Sequence, residues 1–172
     1  MNHAEKRTVV PSTMAGRLRP VVVIAEDSRV QAKILQKRLD ASGYETLVGC
    51  DGQAALQLVK DNQPDIVISD IEMPKMTGYE LCKAIKESSE WRHIPVILLS
   101  TLNDAEDILR GLAAGADNYI IKPYDTQYLI ARIEDLRSQP PAIDAPEESA
   151  ATMPVTLGGH VYHVRAGRQQ TL

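Results

Sequence analysis

Two hydrophobic periods alternate along the chain between residues 20 and 138. Short apolar-rich runs have the length and β-branched content of strands: Val21-Val22-Val23-Ile24-Ala25, Glu45-Thr46-Leu47-Val48, Ile66-Val67-Ile68-Ser69, Val96-Ile97-Leu98-Leu99 and Asn118-Tyr119-Ile120-Ile121. Between them, apolar residues recur three and four positions apart. Leu81, Ala84 and Ile85 do so, as do Ala105, Ile108, Leu109 and Leu112, and again Leu129, Ile133 and Leu136. That spacing predicts helices. Ser28 followed by Gln31, Asp51, Asn103 followed by Glu106, and Asp125 supply starting caps, while Gly43 and Gly115 stand where helices end. Most of the strand runs lack polar alternation, as parallel strands covered by helices on both faces do. The expected fold is α/β, a (βα)5 doubly wound parallel sheet of five strands.

The flanks do not continue this pattern. Residues 1–19 carry Lys6, Arg7, Arg17 and Arg19 against Glu5 and show no sustained period, which predicts a flexible basic extension. Pro140, Pro141, Pro146, Glu147 and Glu148 mark residues 139–152 as a linker. In the tail, 153–172, Val155, Leu157, Val161 and Val164 alternate briefly but are too few to bury a core. This tail is expected to be mobile, or ordered only by pairing with a neighbour as an added strand. Its pattern also resembles the opening of a further module. The patterned domain is thus 20–138.

Composition narrows the function. With 172 residues, 44% hydrophobic and 24% charged, the chain as a whole is not a disordered or fibrous protein. A net charge of -4, no Phe and one Trp argue against nucleic acid as a direct partner. Purely apolar stretches such as Val21 to Ala25 fall far short of the ~20 residues that span a bilayer, and no apolar leader segment opens the chain. A cytoplasmic protein without a membrane partner is expected. Cys50 and Cys82 make no disulfide framework and are expected to be small buried hydrophobes.

In open α/β sheets the site lies beyond the carboxyl ends of the strands. Glu26 and Asp27 follow the first strand, Asp70 the third, Ser100 and Thr101 the fourth, and Lys122-Pro123 the fifth. Three carboxylates and one lysine leave a residual charge that one divalent cation balances. With oxygen donors only, and no His or Cys in these loops, Mg²⁺ is the fitting ion. A carboxylate beside such a metal and a lysine is equipped to attack phosphorus. Asp70 is the expected nucleophile and phosphoacceptor, Asp27 with Glu26 the metal ligands, and Lys122 and Ser100 the phosphoryl binders.

These residues resemble the receiver domain of two-component response regulators. The likeness rests on Glu26-Asp27, on Asp70-Ile71-Glu72-Met73-Pro74-Lys75-Met76-Thr77-Gly78, on Pro95-Val96-Ile97-Leu98-Leu99-Ser100, and on Gly115-Ala116-Asp117-Asn118-Tyr119-Ile120-Ile121-Lys122-Pro123. It spans 20–138. The resemblance implies a flavodoxin-like fold and a histidine kinase or phosphotransfer protein as phosphoryl donor. It also implies dependence on Mg²⁺, autodephosphorylation, and a downstream protein or in-chain output module as target, with a homodimer as one form open to it. It assigns Ser100 and Tyr119 as a coupled switch acting on the face of the fourth helix, fifth strand and fifth helix, residues 104–137. It implies a cis bond at Lys122-Pro123, and a metal contact from the backbone carbonyl of Glu72, whose side chain occupies a variable position beside the metal.

Two other classes are weighed by sequence alone. Phosphatases of the haloacid dehalogenase type also use an Asp nucleophile with Mg²⁺, but they carry Asp-x-Asp after the first strand. A nucleotide- or flavin-binding module needs a Gly-rich turn there, and Glu26-Asp27-Ser28-Arg29 would repel phosphate.

Overall fold

The computed structural model describes residues 17–139, 152–157 and 160–165. Five strands, β1 (Val21–Ala25), β2 (Glu45–Gly49), β3 (Ile66–Asp70), β4 (Val96–Ser100) and β5 (Asn118–Ile121), pair in parallel in the order β2-β1-β3-β4-β5. They alternate with α1 (Arg29–Ala41), α2 (Gly52–Asn62), α3 (Gly78–Glu87), α4 (Ala105–Ala113) and α5 (Thr126–Ser138). One apolar layer joins Val23, Val67 and Leu98 to Val59 of α2, Leu81 and Ile85 of α3 and Leu112 of α4. The other joins Val22, Ile24 and Ile97 to Leu35 and Leu39 of α1 and Leu129 and Ile133 of α5. Burial on both faces is why β1, β3 and β4 read as unbroken apolar runs, whereas the edge strand β2 is mostly exposed or half-buried.

The helix starts follow local chemistry with one exception. Ser28, Asp51 and Asp125 cap α1, α2 and α5 through their side chains, and Thr77 with Glu80 forms a full capping box on α3. The expected Asn103–Glu106 start is not formed. Asp104 is the N-cap of α4 and its side chain makes no capping bond. Glu106 and Asp107 in the first turn instead set negative charge against the helix dipole. Gly43 and Gly115 adopt φ of 94° and 84° just after α1 and α4, the left-handed termination that glycine allows.

The sheet has seven strands rather than five. β6 (Thr152–Leu157) adds in parallel beside β5, with Tyr119 opposite Val155 and Ile120 opposite Thr156, and β7 (His160–Arg165) returns antiparallel to it. Met153 and Val155 are buried in the same layer as Tyr119 and Leu112. Thr156 is buried as well, and its hydroxyl meets that of Tyr128 on α5. The tail expected to be mobile, to pair with a neighbour as an added strand, or to open a further module is therefore, over these twelve residues, part of the same sheet. The physical reason is economy of surface. A segment with too few apolar groups for a core of its own needs only two to complete an existing one, and the edge of β5 offers the backbone groups to pair.

Of the basic extension, residues 17–19 are described, and two of their side chains bond to the domain. Arg19 donates to the carbonyls of Asp40 in the last turn of α1 and of Gly43 and Tyr44 beyond it, and Arg17 donates to that of Asn62 at the end of α2. Residues 1–16 and 140–151 lie outside the described residues, so the flexible arm and most of the linker are not among them.

Cys82 is fully buried in α3, and burial pushes its thiol up to about 12. Cys50 is exposed, against expectation, because it follows the edge strand β2. A thiol reagent at neutral pH should therefore label one cysteine quickly, with peptide mapping placing it at Cys50, and Cys82 only after unfolding. Labelling of both at one rate in the folded protein would contradict this packing.

Candidate functional site

Parallel strands end on the same side of the sheet, and this brings the sequence-selected residues together. The carboxylates of Glu26 and Asp27 beyond β1 and of Asp70 at the end of β3 offer oxygens all within 4.8 Å of one another. Lys122, beyond β5, places its ammonium 3.1 Å from Asp70 Oδ2 and 3.5 Å from Glu26 Oε2. Ser100, the last residue of β4, is buried, and its backbone carbonyl accepts from the Lys122 amide at 2.7 Å. The Lys122-Pro123 bond is cis, as the resemblance implies. Glu72 is exposed, and its carboxylate is not one of the three clustered acids.

The three acids are not equivalent. Glu26 is buried, and that burial raises its pKa above the ordinary carboxylate range. The Ser28 amide, donating to Oε1 at 3.0 Å, and the Lys122 ammonium act in the opposite direction. Asp27 is exposed. Asp70 is half-buried, with Oδ1 accepting from the Ile71 amide at 2.6 Å and Oδ2 facing Lys122. One oxygen of Asp70 is thus fixed by the backbone while the other faces the cation.

The loop after β3 is clamped from outside. Lys75, with φ of 65°, reaches 2.7 Å to the buried carboxylate of Asp51, which holds that carboxyl below its ordinary range. Gly78 closes the loop, and a Cβ there would lie 2.2 Å from the Asp70 carbonyl oxygen. Only a bare backbone lets α3 start so near Asp70.

Ser100 and Tyr119 grip the same residue. Leu102 donates its amide to Ser100 Oγ at 2.9 Å, and its carbonyl accepts from the Tyr119 hydroxyl at 3.0 Å. Tyr119 is fully buried. Its ring lies against α4 where Gly111 stands, and a Cβ at that glycine would come within 2.8 Å of Tyr119 Cδ2. Gly111→Ala should therefore move this ring and destabilise the protein by about 1–3 kcal/mol, the ordinary range for overpacking. Urea unfolding with near-UV circular dichroism checks both effects. Unchanged stability and an unchanged tyrosine signal would contradict the contact.

Sequence reasoning missed Gln31. At the third position of α1 it reads as the second half of a capping box, but the Ser28 amide is already taken by Glu26. The Gln31 side chain accepts instead from Lys122 at 3.0 Å, giving the lysine a third oxygen partner. No local signal distinguishes these two uses of a glutamine.

Comparison with known proteins agrees with this geometry. The family model described as the response regulator receiver domain matches residues 22–134. A probable transcriptional regulator, ycf27, of Guillardia theta is 42% identical over 112 residues, covering 65% of this chain and 43% of that protein. The response regulator PleD of Caulobacter vibrioides is 34% identical over 115 residues, 67% of this chain and 25% of its own. The matched region is thus less than half the length of either relative. Among solved structures, the signal receiver domain of a signal transduction histidine kinase from Syntrophus aciditrophicus superposes with a TM-score of 0.68 at 36% identity, covering 76% of this chain and 98% of that one. The chemotaxis response regulator CheY4 of Vibrio cholerae does so with a TM-score of 0.64 at 30% identity, over 69% and 98%. By its matched sequence, its strand order and its converging strand ends, the chain belongs to the response regulator receiver domain family.

Proposed function

We propose that this chain is a phosphorylation-controlled switch of a two-component system, with Asp70 as its phosphoacceptor. The observation that carries the reading is the Lys122 ammonium 3.1 Å from one oxygen of Asp70, inside a cluster of three carboxylates. The donor is the phosphohistidine of a histidine kinase or phosphotransfer protein. Asp70 Oδ attacks phosphorus, the phosphorus–nitrogen bond breaks, and the imidazole leaves with the bonding pair. Lys122 offsets charge on the phosphoryl oxygens, and Ser100 turns its hydroxyl proton toward one of them. In autodephosphorylation the oxygen of water attacks phosphorus, the bond to Asp70 breaks to restore the carboxylate, and inorganic phosphate leaves with the water proton kept on it or released to solvent.

The acidic cluster fits Mg²⁺, because its donors are carboxylate oxygens that lie close enough to converge on one ion. Glu26, Asp27 and Asp70 would hold the ion, together with the Glu72 carbonyl on the family resemblance. When bound, Mg²⁺ supplies positive charge for the phosphoryl oxygens. The signal leaves through Ser100 and Tyr119 to the face of α4, β5 and α5, which here also carries β6. The target is a downstream protein or an output module in the same longer protein, with a homodimer as one route. Among the described residues no helix is long and apolar enough to cross a membrane. A cytoplasmic setting, with no direct nucleic-acid contact by this domain, accords with that and with the net charge of -4.

Crowding three carboxylates costs Coulomb energy that a bound cation relieves, so binding is linked to stability. Mg²⁺ at about 100 times its Kd should stabilise the protein by about 2.7 kcal/mol and raise Tm by several degrees. Asp27→Ala should lose most of that rise. An equal rise in the variant would place the ion elsewhere.

A further inference from the structure

The hairpin that extends the sheet is tightly paired within itself and lightly attached to the five-stranded core. β6 and β7 pair along their whole length, from Thr152 opposite Arg165 to Leu157 opposite His160. Between β5 and β6 the register sets Tyr119 opposite Val155 and Ile120 opposite Thr156, and among the described residues it extends no further. Met153 and Val155 are nearly fully buried and Val164 packs against the same layer, while Val161 and Tyr162 of β7 stay exposed. Leaving the core would thus uncover few side chains of the hairpin.

Those few attachments fall on the elements around Tyr119. Val155 stands beside it in the sheet, and both belong to the buried layer that includes Leu112 of α4. Helix α4 lies against both strands of the hairpin. On the opposite face of β6, the hydroxyl of Thr156 meets that of Tyr128 on α5.

Tyr119 is itself held from the site. Its hydroxyl donates to the Leu102 carbonyl at 3.0 Å, and the Leu102 amide donates to Ser100 Oγ at 2.9 Å. Leu102 also packs against the layer that buries Tyr119, Met153 and Val155. The ring has no slack toward α4, where even a Cβ on Gly111 would come within 2.8 Å of it. A close-packed layer does not yield locally, so a displaced ring must move its neighbours. Among these, Val155 and Met153 belong to the element with the shortest pairing to the core.

We propose that the β6–β7 hairpin is a phosphorylation-sensitive cover of the β5 edge, seated while Tyr119 is anchored on Leu102 and released when a phosphoryl group draws Ser100 away. This rests on the receiver reading of the site and adds the element that the switch moves. The turn of Ser100 toward a phosphoryl oxygen takes Oγ from the Leu102 amide. Leu102 then shifts, its carbonyl gives up the phenol, and the ring repacks against Val155. The occupant of the edge is a segment of this same chain, and its release bares the backbone groups of β5 for pairing. Linkage makes the effect reciprocal. A seated hairpin favours the unphosphorylated arrangement, so a loosened hairpin must favour the phosphorylated one.

The test uses the full chain, with Mg²⁺ and beryllofluoride as the phosphoryl mimic. In the wild type the mimic should quicken amide exchange across β6 about tenfold, with exchange in β1 unchanged. Val155→Ala, which trims the contact but keeps the strand, should bind beryllofluoride at least about fivefold more tightly. Val22→Ala removes the same atoms from the buried layer on the other face of the sheet. It should bind within about twofold of the wild type, because a merely destabilised fold gains no affinity. Beryllofluoride bound by the wild type without quickened exchange in β6, or without tightening in Val155→Ala, would overturn the proposal and leave the receiver site standing. Binding by Val155→Ala alone would be the same coupling at its limit. No binding by any of the three would count against the receiver site itself, and the proposal would fall with it.

Discussion

Asp70→Asn should bring labelling by acetyl phosphate with Mg²⁺ down roughly 100-fold or more, to background, while the protein stays folded. The substitution is isosteric. An amide oxygen can still accept from the Ile71 amide, the bond that now fixes Oδ1 at 2.6 Å. What is lost is the anionic oxygen facing Lys122 at 3.1 Å. Glu26 is the other acid near that ammonium, but it is more deeply placed, its Oε1 is occupied by the Ser28 amide, and burial favours its protonated form. It is a poor substitute nucleophile. Removing one of three crowded carboxylates also lowers their mutual repulsion, so Tm should hold or rise. Intact mass before and after hydroxylamine, which cleaves acyl phosphates, reads the result. Undiminished labelling of the variant, stable to acid, would overturn the reading of Asp70.

Truncation after Gln139 should lower stability by about 3–6 kcal/mol, against the sequence-based expectation that the receiver is complete by residue 138. The estimate comes from Met153 and Val155, each nearly fully buried, since a side chain of this size contributes ~1.5–3 kcal/mol on burial. Their removal also bares the layer around Tyr119 and leaves β5 as an open edge. Urea unfolding of both forms should show a lower midpoint, and a lower m-value for the smaller surface buried. Val155→Asp in the full chain tests the same contact without shortening it, because it places a carboxylate opposite Tyr119. An unchanged midpoint in both would mean that the hairpin adds nothing to the receiver.

The core of the fold was legible because its signals are local and redundant. Val21 to Ala25 and Val96 to Leu99 are buried on both faces, so their composition alone marks them as interior strands. The candidate site was legible for a topological reason. In a parallel sheet every carboxyl end points the same way, so Glu26, Asp27, Asp70, Ser100 and Lys122 had to converge whatever their rotamers. Side-chain partners were less legible. Gln31 has the spacing of a cap yet serves Lys122, and Asn103 has the residue type of a cap while the helix begins one position later. The use of Gln31 depends on a neighbour 91 residues away in sequence.

By itself, then, the sequence determined the alternation of strands and helices, the strand ends that carry the candidate site, and the oxygen donors gathered there. These follow from period, residue type and the direction of the chain. Tertiary structure alone decided that Val155 pairs with β5 instead of another molecule, that Cys50 faces solvent, and that Arg19 caps α1. It alone set the Tyr119 hydroxyl on the Leu102 carbonyl and the Tyr79 hydroxyl on the Asp107 carbonyl of α4. The physical reason is that a hydrogen bond or a strand pairing is a distance between two residues. A local pattern shows that a group needs a partner, but packing of the whole chain determines which partner it meets.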